Sequence, residues 1–438
     1  MAALDSASKN EAHNNTYMEA FMLKRNCLIV ALVLFTASIG SRGYAQQGGS
    51  SFGISFSGFV KTDVIYDTRQ TVNLREGHFL LYPAAELKDR DGADINANPS
   101  LNMLSIQTRL LGKITGPDAL GAATSGVIEG EFFGHSEGDI NGFRLRHAYL
   151  SLKWTNTSLL IGQTWHPMFI AEMYPGVVSF NTGVPFQPFS RNPQLRFTHS
   201  IGDLKLMAAA VAQRDFQSLG PDATGAAVGS SGFLRNAGVP DMQVQARYGM
   251  GKSFVGAGGG YKTLRPRLST TKGYETDESI SSMAAMAFAN IDAAPFTIKL
   301  EGVWGGNLTD LVMLGGYAVT SVDTLRGIQE YTPMSCYSLW GEVVYGKELE
   351  LAVFGGYTEN LGADDIVRGA YYARGSNIHH VLRVAPRVAW TIGSMRLAAE
   401  VEYTAAAYGT VVSSEKAKVE NSTEVSNLRL LFAAYYFF

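Results

Sequence analysis

Charge, cysteine and long apolar runs are all scarce in this chain. Of its 438 residues, 17% are charged, against the roughly 25% usual for soluble domains. Lys and Arg number 36 and Asp and Glu 39, for a net charge of −3, so there is no global basic field to hold nucleic acid. The two cysteines are Cys27 and Cys336. Cys27 falls in an N-terminal apolar segment, and once that segment is removed no intramolecular disulfide can form. Neither cysteine has a partner at the Cys-x-x-Cys spacing of a structural zinc site. No stretch reaches the ~20 apolar residues of a spanning helix, which excludes a helical inner-membrane protein. Glycine and aromatics are plentiful instead, with 47 Gly, 20 Tyr and 23 Phe, a composition at odds with disorder and with an ordinary helical enzyme.

From Met22 the chain reads MLKRNCLIVALVLFTASIGSRGYAQ. Lys24 and Arg25 precede an apolar run from Cys27 to Ile39, and Gly43 and Ala45 occupy the small-residue positions of a cleavage site. This is the layout of a secretory signal peptide at 22–45, predicting a mature, exported chain that starts at Gln46. The polar stretch 1–21 ahead of it reads as a mis-called start. Residues 46–438 are expected to form one domain.

Alternation decides what that domain is. Ile54, Phe56, Gly58, Val60, Thr62, Val64 and Tyr66 share one parity, against Ser55, Ser57, Lys61 and Asp63 on the other, which is the period of a strand with one apolar and one polar face. Leu104, Ile106, Leu110 and Ile114 oppose Ser105, Gln107, Arg109 and Lys113 in the same way. Sixteen such segments start near Gly53, Met103, Thr124, Phe143, Ser158, Gln194, Leu204, Asp241, Lys252, Thr276, Thr297, Ser335, Leu349, Val381, Met395 and Ser426. The sixth, from Gln194 to His199, is short. Connections alternate between long segments, such as those from Thr68, His166 and Asp215, and tight turns, such as Ser200 to Asp203 and Gly249 to Gly251. Long loops at one end, short turns at the other and an even strand number predict an all-β, transmembrane antiparallel barrel.

Two further features fit that reading. The last segment places Leu428, Leu430, Phe432, Ala434, Tyr436 and Phe438 on one parity, an ending that resembles the signal read by the barrel assembly machinery. Aromatics gather at strand ends, as at Trp154, Tyr248, Tyr261, Tyr345, Trp390 and Tyr435 to Phe438, as interfacial girdles require. One strand breaks the pattern: with Arg144 and Arg146 facing water, Ala148, Leu150 and Leu152 fall on the same parity. A β-bulge near Arg146 and His147 reconciles them, because one extra residue flips the faces.

Four stretches carry a family resemblance: SGFVKTDVIYDTR from Ser57, NANPSLNMLSIQTRLLGKITGPD from Asn96, GVIEGEFFG from Gly126 and RLRHAYLSLKW from Arg144. They resemble the trimeric porin superfamily that includes the DcaP-like outer-membrane transporters. The resemblance implies a sixteen-stranded, homotrimeric, water-filled barrel in the bacterial outer membrane, passing small anionic solutes such as dicarboxylates. It also implies that the segment from His166 to Pro193, after the fifth strand, folds inward as a constriction loop, with Glu172 and Arg191 as its full charges. The composition of that segment, rich in Pro, Gly and aromatics, suits a self-packed loop. The direct approach to the first strand through QQGGSS leaves no room for the N-terminal helical extension of some relatives.

The polar parity carries the expected pore lining. Its bases are Lys61, Arg109, Lys113, Arg144, Arg146, Arg247, Lys299, Arg383, Arg387, Arg396 and Arg429; its acids are Asp63, Glu129, Glu131, Glu301, Glu342, Glu350, Glu400 and Glu402. The excess of base predicts a modest anion preference, while cross-strand pairing within the wall is the competing role for each member. Enzymatic readings are weaker. Glu129 and Glu131 are spaced as any charged strand face would be, and the neighbours His199 and Ser200, like His379 and His380, should point to opposite faces. The Asp89 stretch DRDGADINAN lacks the order of a calcium loop. The sequence therefore predicts a passive diffusion channel for small hydrophilic solutes, with no catalytic centre and no cofactor, set in outer-membrane lipid. A non-conducting adhesin or binding barrel acting through its long loops is the rival reading.

Overall fold

The computed structural model describes residues 52–438; the expected signal peptide and start lie outside the described residues. Sixteen antiparallel strands close into one barrel. They are β1 (Gly53–Asp67), β2 in two pieces (Ser100–Leu104 and Arg109–Ala119), β3 (Ala122–Glu131), β4 (Arg144–Lys153), β5 (Thr157–Trp165) and β6 (Arg191–Ile201). Next come β7 (Leu204–Val211), β8 (Asp241–Met250), β9 (Ser253–Leu264), β10 (Ile280–Ala293) and β11 (Phe296–Gly306). The circuit ends with β12 (Gln329–Tyr345), β13 (Leu349–Ala363), β14 (Ile378–Ile392), β15 (Met395–Val412) and β16 (Lys418–Phe437). Closure comes from β1, which pairs with β2 on one side and with β16 on the other, Asp67 opposite Arg429 and Phe59 opposite Phe437. A closed sheet leaves no unpaired edge, which is the condition for strands in lipid. The seam needs Gly58, where a Cβ would lie 2.1 Å from the Arg109 carbonyl oxygen.

The outer wall is apolar. Val60, Leu110, Ile128, Leu195, Val244, Leu300, Leu339, Val401 and Leu430 are all exposed on it, with Tyr248, Tyr345, Trp390 and Tyr436 at strand ends. Tyr435 departs from the expected girdle, since its ring lies under the Lys61 ammonium inside the barrel.

The bulge in β4 sits at Arg146. Glu129 pairs with His147 and Gly130 with Leu145, so Arg146 is skipped. Arg144 and Arg146 are both buried inside, and Leu145 and Leu150 face outward.

Elsewhere the alternation misled. A break in β2 at 105–108 sets four residues against three of β1, between the pairs Asp63–Leu104 and Phe59–Arg109. Leu104 and Ile106, expected on the lipid face with Leu110, therefore turn inward, and Ile106 joins the interior apolar cluster. β6 runs three residues further back than expected, to Arg191, and β16 begins at Lys418 rather than Ser426. His379 and His380 do not diverge: the β14–β15 register shifts between Ile378 and Val381, which brings their Nδ1 atoms to 3.0 Å. Among the described residues, no group of three or more His, Cys, Asp or Glu is placed to hold a metal.

Candidate functional site

The lumen of the barrel is partly filled by the chain itself. Between β5 and β6 the segment 166–190 folds inside. Met168, Phe169, Ile170, Met173, Phe180, Val184, Phe186 and Phe189 are buried in one cluster with inward wall residues Phe288, Val303, Trp340 and Phe354. Trp165 stacks on Phe169, rings 3.8 Å apart, and Phe133 on Phe180 at 4.1 Å. At the near end His166 is fixed to Asp241 of β8, Nε2 to Oδ2 3.2 Å. Two other loop segments enter with it. The hairpin Thr71–Leu74 and Phe79–Pro83 contributes Phe79 and Leu81, and the stretch after Thr309–Leu311 contributes Val312 to Leu314. Phe189 N–H donates to the Leu311 carbonyl at 2.9 Å, tying two of these intrusions together.

A loop inside a barrel must satisfy its own peptide groups, and the wall charges do this. Glu342 accepts from Gly176 N at 2.7 Å, Glu400 from Val178 N at 2.7 Å and Ser179 N at 3.1 Å, and Glu402 from Asn181 Nδ2 at 2.8 Å. The cations take its carbonyls. Lys299 donates to Tyr174 O at 3.0 Å, Lys61 to Val178 O at 2.9 Å, and Arg383 to Val184 O at 2.6 Å. Arg383 also reaches Leu81 O of the hairpin at 2.9 Å, and Arg429, ion-paired to Asp67 at 2.8 Å, reaches Gly77 O at 2.7 Å. Asp63 pairs with Lys61 and with His78 of the hairpin.

Two ion-pair networks flank the loop. In one, Glu131 is surrounded by Arg109, Arg144, Arg146 and Arg191 at 2.5–3.4 Å, while Glu129 pairs with Arg146 at 2.7 Å and Asp215 with Arg191 at 2.8 Å. Burial pushes the Asp215 carboxyl up, but Arg191 and Arg144 beside it hold it below its ordinary value. In the other, Glu342 joins Lys299 and Arg387, and Glu350 joins Arg387 and Arg396. Buried charges of one sign are tolerated only when so compensated. Glu301, 3% exposed, has no ion-pair partner among the described residues; the Trp340 indole is the polar group beside it.

The placement of the charges divides them. Arg191, Arg383, Arg387, Arg429, Glu131, Glu400 and Glu402 are buried beneath the loop segments. Toward the turn end of the barrel, water reaches Arg109, Lys113, Lys299, Arg396 and Arg247, the last paired with the exposed Glu172 at 2.6 Å. Arg196 and Lys205 line the same region on β6 and β7 and were missed by the sequence reading, although Leu195, Phe197 and Leu206 on the opposite parity mark them as inward. Phe438 follows β16, exchanging hydrogen bonds with Gly58 at 3.0 and 3.2 Å.

No protein-family model matches the chain, and no curated protein matches it in sequence. Solved structures do. The outer membrane channel DcaP of Acinetobacter baumannii superposes with a TM-score of 0.63 at 18% identity, over 90% of this chain and 99% of that one. Outer-membrane OmpT of Vibrio cholerae gives 0.52 at 12% identity over 90% and 100%, and an anion-selective porin from Comamonas acidovorans gives 0.50 at 12% over 89% and 100%. At these identities the likeness is one of fold: this chain has the barrel fold of outer-membrane porins and channels.

Proposed function

We propose that this protein is a porin of the bacterial outer membrane, a passive diffusion channel for small hydrophilic solutes with a preference for anions, dicarboxylates among them. One observation carries the reading. In the water-reached part of the lumen the basic wall is Arg109, Lys113, Arg196, Lys205, Arg247, Lys299 and Arg396; Arg109, Lys299, Arg247 and Arg396 are paired with Glu131, Glu342, Glu172 and Glu350, which leaves Lys113, Arg196 and Lys205 as a basic excess with no ion pair among the described residues. Low-dielectric walls focus that basic excess on a passing solute. The buried pairs further up contribute less, because each base there is matched by an acid or a loop carbonyl. The apolar outer wall supports the membrane setting, and the anion-selective relative in fold supports the sign. A homotrimer is part of the reading, since a trimer form of the V. cholerae relative is described. Insertion by the barrel assembly machinery, guided by Phe438, belongs to it too. Recording the purified protein in a planar bilayer tests the proposal: steady conductance steps are expected, and a barrel acting only as an adhesin shows none.

A further inference from the structure

We propose that His379 and His380 form a chelating pair for a borderline divalent transition ion, Cu²⁺ ahead of Ni²⁺ and Zn²⁺, on the outer wall of the barrel. Neighbours in a regular strand cannot do this, because their side chains leave on opposite faces. The start of β14 is not regular. Ile378 pairs with Tyr408 and Val381 with Ala406, so His379 and His380 together stand against Ala407 alone. Ile378 and Val381 both point inward, into the apolar cluster of the lumen, and the bulge that allows this leaves the two histidines between them on the outside. Re-aiming a side chain is what such a bulge does. Both histidines are half-buried, near the end of β14 that follows the long connection 364–377.

The two Nδ1 atoms are 3.0 Å apart, and the ring centres 5.2 Å, with the planes inclined at 75°. An ion held at the ~2.0–2.1 Å of a metal–imidazole bond, with its ligands at right angles, needs two nitrogens about 2.9 Å apart. The lone pairs now share one proton in a hydrogen bond. A small turn of each ring about its broad χ2 torsion makes them converge on an ion instead. Both rings then bind as the Nε2–H tautomer: the shared proton is replaced by one on Nε2 of the same ring, and both rings stay neutral. The neighbourhood suits a cation. Glu359 on β13 is the cross-strand partner of His380, which sets the two side chains next to each other. Its carboxylate accepts from the Tyr357 hydroxyl at 2.7 Å and the Tyr337 hydroxyl at 3.0 Å, and the Tyr357 ring stacks on His380 at 5.5 Å. The carboxylate supplies negative charge, and the stacked tyrosine keeps the imidazole oriented. With no third His, Cys, Asp or Glu placed as a ligand among the described residues, water completes the coordination. Imidazole donors select Cu²⁺, Ni²⁺ or Zn²⁺ over Mg²⁺ and Ca²⁺, which prefer oxygen.

This site lies outside the lumen, so its test is independent of conduction. The untagged, processed protein in detergent is titrated by calorimetry with CuCl2, NiCl2 and ZnCl2 in turn. One Cu²⁺ per chain is expected, with Ni²⁺ and Zn²⁺ weaker and millimolar MgCl2 without effect. Glu359→Gln should weaken Cu²⁺ binding by ~10-fold, the scale of losing a group that supports a ligand, and His379→Gln and His380→Gln should each weaken it by more. Unchanged Cu²⁺ binding in either histidine variant would overturn the assignment. Electron paramagnetic resonance of Cu²⁺ on the unmodified protein needs no variant, and so decides the question even if one fails to fold. Coupling to two imidazole nitrogens supports the pair; coupling to one or to none refutes it.

Discussion

The carboxylate of Glu400 on β15 accepts the main-chain N–H groups of Val178 and Ser179, at 2.7 and 3.1 Å, across more than two hundred residues of chain. A charge that reads in the sequence as pore lining is, in the folded barrel, an anchor for the segment that crosses the pore. Replacing Glu400 by Ala leaves both N–H groups buried without an acceptor, at about 1–3 kcal/mol each before relaxation. The expected outcome is faster hydrogen exchange at residues 176–182 with strand protection unchanged. Equal exchange in the two proteins would show that Glu400 does not hold the loop.

Removing the loop should widen the pore. A deletion between Phe169 and Phe189 takes away the apolar side chains that now cover Arg383, Glu402 and Trp340 on the wall. Conductance and the size limit for solutes are expected to rise severalfold, because the lumen charges it buries would meet water. A deletion protein with the original conductance would place the loop outside the solute path.

Phe438 closes the seam. Its N–H and carbonyl pair with Gly58, and its ring stands against that glycine, within 3.0 Å of where a Cβ would be. Truncation before Phe438, or Phe438→Asp, removes the pair or sets a charge at the lipid-facing rim. Outer-membrane levels should drop several-fold, measured on gels by heat-modifiable mobility; undiminished folded protein argues against this role.

Acid should loosen the loop between β1 and β2. The N–H of Leu87 donates to Asp94, Arg69 pairs with it at 2.7 Å and Asn96 N–H adds a further bond, and these hold its carboxyl below the ordinary value near 3.8. A depressed folded pKa gives stabilisation that is complete above the unfolded value and lost as pH falls through the folded one. Protection of the Leu87 and Asn96 amides should therefore decline below about pH 4. Asp94→Asn should lower protection at neutral pH and remove that decline; a variant that keeps the same acid dependence would assign it to another group.

Much of this fold is written in the alternation of its strands, and the failures have physical causes. The bulge at Arg146 was legible because charged and apolar residues collided on one parity, and only an extra residue separates them. The break at 105–108 was not, because Leu104 and Ile106 are apolar and look lipid-facing whichever way they turn; an interior apolar cluster claims Ile106. The first half of β16, KVENSTEVS, shows no clean alternation because its residues are mostly exposed on both faces. The contact of His379 with His380 depends on a register shift that no side-chain pattern marks. Within the lumen, the charged residues could be named from parity alone. What each charge meets could not, since Lys61, Glu400 and Arg383 find loop peptide groups more than a hundred residues away in sequence. For the same reason Arg383 and Arg387, exposed in a bare barrel, prove to be buried, and the bases that stay in reach of water include Arg196 and Lys205 instead.

The central claim is that this barrel conducts and that its water-reached lumen favours anions. The reversal potential of the purified protein in a planar bilayer, under a potassium chloride gradient, tests it most directly. The account predicts steady channels whose zero-current voltage has the sign set by chloride, moving toward zero when Arg196, Lys205 and Arg247 are all changed to Ser. A potassium-selective channel, or a bilayer with no channels at all, would contradict it.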